Sequence, residues 1–265
     1  MTYRRLVCSL AMFGLVHGVP LADRSARGQD AASSTTAEVT NRFEIPDTDD
    51  SLAGVGPMRR AEWFRNTWRG RRTEFANRAD QEQGAVVFFG DSITQGWGGK
   101  LESSFPGVKV ANRGISGDTT RGMLNRMQED VLSLEPKALV LLMGTNDLEE
   151  NAKPSEVAEN MSAILEAAIK HDSEMPIVLC LVMPSSESKR RPSDKIKEVN
   201  RLYTELAQNH SQVIVLDTWT LFANEKGDAK PSEFPDLLHP NESGYAMWAE
   251  ALRPVLAKLG LTEAE

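Results

Sequence analysis

The feature that most constrains the fold is a recurrence of short apolar runs, each followed by a polar break and then by a helix-like pattern. The runs are largely apolar and lack strict alternation, which is typical of strands that are covered on both faces. They span residues 85–89, 108–111, 138–143, 177–182 and 213–216. Such strands, alternating with helices, predict a three-layer α/β/α fold in which helices cover both faces of a five-stranded parallel sheet.

The helices are predicted from apolar residues that recur at helical spacing between and after the runs. Three of these sets of apolar residues follow Thr119, Pro154 and Pro192, and a fourth begins at Tyr245. One more amphipathic helix is expected before the first run, where aromatic residues lie among many charges. This helix is expected to lead into the core, and its aromatic residues are Trp63, Phe64, Trp68 and Phe75.

The 265 residues leave room for one substantial α/β domain, which we assign to residues 57–262. Residues 1–22 are interpreted as an export signal, because Arg4 and Arg5 precede an apolar stretch that is too short to cross a bilayer as a helix. A buried amino-terminal helix is the alternative. Residues 23–56 are polar, small and aperiodic, which predicts a flexible linker. The expected location is therefore secreted or periplasmic.

The charge balance argues against two classes of partner. The formal net charge of −8 would repel a phosphate backbone or an anionic bilayer at long range. No later apolar stretch is long enough to span a membrane. We therefore expect no nucleic-acid partner and no stable membrane insertion after the signal is removed. The sequence contains no feature that fixes the oligomeric state.

Polar residues follow the predicted strands in a pattern that suggests a site. In open parallel sheets, ligands collect in the crevice beyond the carboxyl ends of the strands. The stretches that reach this edge are "GDS" at 90–92, "NRGISGD" at 112–118, "GTND" at 144–147 and "DLLHP" at 236–240. They bring a hydroxyl, a glycine amide, a carboxamide, a carboxylate and an imidazole to one edge of the sheet.

This set of groups is what ester hydrolysis by a serine requires. A hydroxyl such as that of Ser92 is a poor nucleophile until a base such as His239 takes its proton. Asp236 lies three residues before His239, so one turn can bring its carboxylate to one ring nitrogen while the other faces Ser92. The amides of Ser92 and Gly117 and the side-chain amide of Asn146 are candidate donors to the oxyanion. Losing one such donor typically costs about 3 kcal/mol in the barrier.

The four motifs, in this order, resemble the four blocks of the SGNH, or GDSL-type, hydrolase superfamily. The resemblance covers residues 86–256, and the residues of the motifs are most similar to those of the branch that contains platelet-activating-factor acetylhydrolase subunits and bacterial acetylesterases. It implies a flavodoxin-like SGNH hydrolase fold and no metal or other cofactor. It also implies Ser92 as nucleophile, Asp236 and His239 as the rest of the triad, and Ser92, Gly117 and Asn146 as the oxyanion hole. Ile93 stands where the GDSL name expects leucine.

The sequence thus predicts an exported serine esterase or acylhydrolase that cleaves a small acyl group, such as acetyl, from a carbohydrate or lipid-like alcohol. A small-molecule or carbohydrate ester is the expected partner. Two alternatives remain. Asp91, Asp118, Asp147, Asp236 and His239 are the candidate ligands of a metal-dependent hydrolase. The other alternative is an exported carbohydrate-binding protein that keeps the fold without turnover. Separately, Ser92 taken alone is also a candidate helix cap.

Two further features carry weaker predictions. Asp91, Asp118 and Asp147 are interpreted as structural, bonding loop amides or capping helices. The glycines around Trp97, from Gly96 to Gly99, suggest either a mobile lip over the site or an ordinary flexible loop.

Overall fold

The computed structural model describes residues 42–262, and its centre is a five-stranded parallel sheet. The strands are β1 (Val86–Gly90), β2 (Val110–Gly114), β3 (Ala138–Leu142), β4 (Ile177–Cys180) and β5 (Val213–Leu216). Their order across the sheet is β2-β1-β3-β4-β5, the flavodoxin-like doubly wound order. Val87 of β1 pairs with Ala111 of β2 on one side and with Leu139 of β3 on the other. The predicted fold class is confirmed, and each apolar run forms one strand.

Helices cover both faces of the sheet. They are α1 (Glu62–Arg78), α2 (Ser92–Gly96), α3 (Lys100–Ser104), α4 (Thr120–Asp130), α5 (Thr145–Glu149), α6 (Pro154–His171), α7 (Ser193–Ala207), α8 (Thr218–Phe222) and α9 (Glu242–Lys258). Because successive strand residues point to opposite faces, Val87 and Leu139 pack against α4, α6 and α7. Phe88 and Val140 pack against α2, α3 and α9. The core therefore has two halves, one on each side of the sheet.

The aromatic residues of α1 do not all face the core. Phe64, Trp68 and Phe75 are buried as expected, but the Trp63 side chain is 51% exposed. Adjacent residues of an α-helix are about 100° apart around its axis, so Trp63 and Phe64 cannot both face the core.

The predicted boundary at residue 57 also differs from the structure. The signal peptide at 1–22 and the linker as far as residue 41 lie outside the described residues, but residues 42–56 pack on the domain. Phe43 is 1% exposed, and Asn160 of α6 exchanges two hydrogen bonds of 2.9 Å with the backbone of Val55. We call residues 42–61 the amino-terminal strap. Its contacts run through its backbone, through ion pairs such as that of Asp49 with Arg121 at 2.7 Å, and through a few isolated apolar side chains, so hydrophobic periodicity does not indicate it.

The segment around Trp97 is not a lip over the site. The Trp97 ring is 2% exposed and stacks on Trp248 with 4.5 Å between ring centroids, while its Nε1 donates to Ser104 Oγ at 3.1 Å. Burial of a large aromatic ring stabilises the segment by about 2 kcal/mol or more. Trp97 therefore fixes α2 and α3 against α9. Across residues 42–262, no helix is long and apolar enough to span a membrane.

Candidate active site

Ser92 is held at the carboxyl end of β1 by contacts on both sides of its helix. The Asp91 carboxylate accepts a hydrogen bond from the Ile93 amide at 2.9 Å and so caps α2. The Tyr245 hydroxyl of α9 donates to the Ile93 carbonyl at 2.9 Å. A Cβ at Gly90 would overlap the backbone of β3, so only glycine permits this close approach. The nucleophile candidate therefore stands on a rigid turn at the strand-order switch point, where doubly wound sheets bind ligands.

The structure brings Ser92, His239 and Asp236 into one hydrogen-bonded chain. Ser92 Oγ lies 3.0 Å from His239 Nε2, and His239 Nδ1 lies 2.7 Å from Asp236 Oδ2. The carboxylate fixes the ring tautomer in which Nδ1 carries the proton and Nε2 is free to accept one. This is the geometry that general-base activation of a hydroxyl needs.

The loop that carries Asp236 and His239 is shaped by its own aspartate. Asp236 Oδ1 accepts from the amides of Leu238 at 3.0 Å and His239 at 2.7 Å, and Leu237 has a left-handed φ of 62°. The buried Ser185 hydroxyl donates to the Leu237 carbonyl at 2.8 Å and so ties the turn to the segment after β4. A non-glycine residue in this conformation costs energy and persists only where its surroundings fix it.

The same contacts set the charge of Asp236. Partial burial opposes ionisation, but hydrogen bonds from the His239 amide and ring and from the Leu238 amide outweigh it and lower the pKa of Asp236 to about 2. The carboxylate is therefore ionised throughout the pH range in which the imidazole can act as a base.

Two backbone amides are available at the expected position of the oxyanion. Within residues 42–262, the Gly117 amide has no hydrogen-bond acceptor. Ser92 is the first residue of α2, so its amide has no acceptor within the helix. Gly117 has a φ of +85°, which favours glycine, and a Cβ there would overlap the Trp63 ring. The Gly117 turn thus needs glycine for both conformation and space.

The third expected donor, Asn146 of α5, is already engaged with the protein. Its Nδ2 donates to the Asp118 carbonyl at 3.0 Å and to Asp91 Oδ2 at 3.3 Å. Donation to an oxyanion therefore has to replace the longer of these bonds. The orientation of the amide is set from the other end, because Arg191 donates to Asn146 Oδ1 at 3.1 Å. A guanidinium has no acceptor, so this contact keeps the Asn146 oxygen away from the nucleophile and its NH₂ group towards Asp91.

The guanidinium of Arg191 is itself fixed. It also donates to the carbonyls of Thr145 at 3.1 Å and Lys189 at 2.7 Å, and to Glu149 at 3.0 Å, and the residue is only 3% exposed. Four acceptors on a buried guanidinium leave it one orientation. No pattern in the sequence indicates this contact.

Three buried aspartates lie behind the site. Burial raises the pKa of Asp91 to about 6, of Asp118 to about 7 and of Asp147 to about 6. Asp118 forms a buried ion pair of 2.8 Å with Arg126, and Asp147 accepts from the Thr120 amide and hydroxyl. These contacts agree with the structural roles expected of the three residues. Within the described part of the chain, no group of three or more His, Cys, Asp or Glu residues is placed to hold a metal ion.

Ser92 and His239 open into a cavity of about 780 Å³, a size typical of small-ligand sites. Its charged lining residues, other than Asp236 and His239, are Arg59, Glu149, Glu150, Lys189, Arg190 and Arg191. Glu149 is paired with Arg59 at 2.9 Å. The exposed ring of Trp63 forms part of the same wall. Neither Arg59 nor Trp63 was expected at the site, although the adjacent aromatic residues 63 and 64 are a signal that one of them leaves the core.

Comparison with known proteins identifies the family of the chain. Residues 88–247 match the model of the GDSL-like Lipase/Acylhydrolase family. Platelet-activating factor acetylhydrolase IB subunit alpha2 from Bos taurus is 28% identical over 199 residues, which cover 72% of this chain and 84% of that protein. An acetylxylan esterase from Geobacillus stearothermophilus is 25% identical over 202 residues, covering 63% and 90% of the two chains.

A solved structure has the same fold. The GDSL-like lipase from Bacteroides thetaiotaomicron superposes with a TM-score of 0.62 at 25% identity, covering 71% of this chain and 97% of that one. The resemblance inferred from the four motifs is confirmed.

Proposed function

The chain belongs to the GDSL-like lipase/acylhydrolase family and is an ester-hydrolysing serine hydrolase, and we propose that Ser92 is its nucleophile. The observation that carries this proposal is the hydrogen-bonded chain from Ser92 through His239 to Asp236. Family membership favours this reaction over both alternatives, the metal-dependent hydrolase and the binding protein without turnover.

The first half of the proposed reaction forms an acyl-enzyme. Ser92 Oγ attacks the ester carbonyl carbon while its proton passes to His239 Nε2. The negative charge on the carbonyl oxygen is stabilised by the amides of Ser92 and Gly117 and, once it is released from Asp91, by Asn146. The ester C–O bond then breaks, and the leaving alcohol takes the proton back from Nε2. Asp236 stabilises the imidazolium that forms between these two proton transfers.

The second half releases the acid. Water attacks the acyl carbon and gives its proton to His239 Nε2, and the second tetrahedral intermediate uses the same donors. Its collapse breaks the bond to Ser92 Oγ, which recovers the proton from Nε2. The carboxylic acid leaves, and the enzyme returns to its starting state.

We propose a short acyl group, such as acetyl, carried by a carbohydrate or lipid-like alcohol. The support is the character of the cavity, whose apolar lining residues are Ala61, Trp63 and Leu238 among many charged ones. A long acyl chain would place methylene groups against those charges and remove them from water, which is costly. The acetyl ester cleaved by the Geobacillus relative, as its name states, is consistent with this proposal.

The test of the nucleophile is Ser92→Ala. We expect kcat on p-nitrophenyl acetate to fall by about 10⁴-fold or more, as in other serine hydrolases, with a melting temperature close to that of the native protein. Ser188→Ala, which removes a more exposed hydroxyl from the same cavity, is the matched control. Retained hydrolysis in Ser92→Ala, without added metal, contradicts the proposal.

The test of the acyl group is a chain-length series of p-nitrophenyl esters. We expect kcat/KM to be highest for acetate and to fall by at least about tenfold by octanoate. A rise from acetate to octanoate would contradict a short acyl group, while leaving Ser92 as the nucleophile.

We also propose export through cleavage of the amino-terminal signal, supported by Arg4, Arg5 and the short apolar stretch that follows them. Amino-terminal sequencing of protein recovered from the medium or periplasm should place the first residue between 18 and 27. Recovery of the uncleaved chain only from the cytoplasm contradicts export.

A further inference from the structure

Among residues 42–262, Trp63 is the one large hydrophobic side chain that is exposed to solvent. Single exposed apolar residues are common and need no explanation by themselves. The location of this one is informative, because its ring lines the cavity that contains Ser92 and His239. The six-membered part of the indole also covers the side of Gly117 where a Cβ would otherwise lie. The ring is therefore adjacent to the turn that presents an oxyanion donor.

The Trp63 ring is held in position, although half of its surface is open to solvent. The Arg59 guanidinium lies 5.4 Å from the ring centroid, and the Phe64 ring meets it edge-on at 5.7 Å. Arg59 is fixed in turn by Glu149 at 2.9 Å and Glu150 at 2.7 Å. A ring that is ordered before binding loses little conformational entropy when a ligand stacks on it.

We propose that the exposed face of Trp63 is a stacking platform for the pyranose ring of an acetylated sugar. This inference rests on the proposed function and selects the carbohydrate over the lipid-like alcohol. A pyranose has a face of C–H groups that fits the negative face of an indole, and a rim of hydroxyls. The Glu150 carboxylate and the ammonium and guanidinium groups of Lys189 and Arg190 line the same cavity and supply partners for those hydroxyls.

The same surroundings disfavour an alkyl alcohol. A lipid-like chain would need a continuous apolar wall to remove its methylene groups from water. Beyond Trp63, the apolar residues that line the cavity are Ala61 and Leu238. An alkyl chain that left Trp63 would therefore meet charged groups, whereas sugar hydroxyls would form hydrogen bonds with them.

The test compares two acetate esters, ethyl acetate and a mono-acetylated methyl β-xylopyranoside, by pH-stat titration of the released acid. The native enzyme should have the higher kcat/KM on the sugar ester. Trp63→Ala should reduce the ratio of kcat/KM on the sugar ester to that on ethyl acetate about tenfold, mainly through KM. Trp63→Phe, which keeps an aromatic face, should retain most of the ratio.

Trp219→Ala is the matched control, because Trp219 lies on α8 and does not line the cavity. The ratio should be unchanged in this variant. An unchanged ratio in Trp63→Ala, or an equal loss on both esters, overturns the platform. If the native enzyme hydrolyses ethyl acetate better than the sugar ester, the proposed stacking role of Trp63 is contradicted, whereas the proposed esterase activity is supported. If it hydrolyses neither ester, the proposed function itself fails.

Discussion

The two sides of the catalytic cavity are built in different ways. Ser92, Gly117 and Asn146 follow β1, β2 and β3, and buried aspartates lie directly behind them; we call this the strand-end side. The loop side consists of residues 188–191 and 236–239. The side chains of Asp236 and His239 are each 44% exposed and are held mainly by local hydrogen bonds. The comparison indicates that mutations of the buried aspartates behind the strand-end side affect stability, whereas mutations on the loop side, like the replacement of Ser92 itself, affect turnover.

The largest effect is expected on the loop side, from His239→Ala. Without the base, kcat on p-nitrophenyl acetate should fall by about 10⁴-fold, while the free energy of unfolding changes by less than about 1 kcal/mol because the ring is half exposed. Kinetics and urea unfolding of the same preparation measure both quantities. A large loss of stability in His239→Ala would contradict the claim that loop-side mutations affect turnover and not stability.

Asp118→Ala tests the strand-end side. It removes the buried partner of the Arg126 guanidinium at 2.8 Å and leaves only the more distant Asp130 carboxylate at 3.6 Å, and the side chains of Asp118 and Arg126 are fully buried. Breaking such a pair from one end typically costs about 3 to 5 kcal/mol. Glu198→Ala, which removes an exposed partner of Arg201, should leave the free energy of unfolding nearly unchanged, because exposed ion pairs contribute little to stability. Equal losses in the two variants, measured by urea unfolding, would show that burial of the pair does not matter.

Arg191→Gln tests the contact through which the two sides are coupled. Loss of the donor that orients the Asn146 amide should lower kcat about tenfold and leave KM nearly unchanged, because an oxyanion donor acts in the transition state. Arg201→Gln, on the exposed face of α7, is the control and should have native kinetics. A change confined to KM would show that Arg191 contacts substrate rather than positioning Asn146.

The last prediction is a pH dependence of stability from Asp147. Its pKa of about 6 in the folded protein lies above the ordinary value of 3.8, so its contribution to stability is greatest below pH 3.8 and is lost as pH rises through about 6. Asp147→Asn does not titrate. As pH rises from 4 to 7.5, the free energy of unfolding of the variant should therefore increase relative to that of the native protein by on the order of 2 kcal/mol. Parallel curves of unfolding free energy against pH would contradict a raised pKa.

The strand-end side was largely predictable from the sequence. Apolar runs locate the strands, and the crevice rule locates the residues that follow them, so Ser92, Gly117 and Asn146 could be named as candidates. The same rule brings the stretch that contains Asp236 and His239 to this edge, and their roles follow from the chemistry that a serine nucleophile requires and from the family motif. Their roles in catalysis stay predictions until the variants are measured.

The features that the sequence did not predict depend on contacts that have no periodic pattern in the sequence. The amino-terminal strap docks through single residues such as Phe43 and through backbone bonds to Asn160, so its polar composition indicated a linker. Arg191 acts through a hydrogen bond to Asn146, 45 residues away along the chain. Trp63 lies on the same helix as three buried aromatic residues. It differs from them only in its angular position around the helix axis, which places its side chain in solvent.

The most direct test of the central claim, that His239 makes the Ser92 hydroxyl nucleophilic, is covalent labelling with an organophosphonate followed by peptide mass spectrometry. The expected result is one adduct per chain on the peptide containing Ser92, absent in Ser92→Ala and formed at least about 100-fold more slowly in His239→Ala. An adduct on another residue, or labelling at an undiminished rate in His239→Ala, would contradict the account.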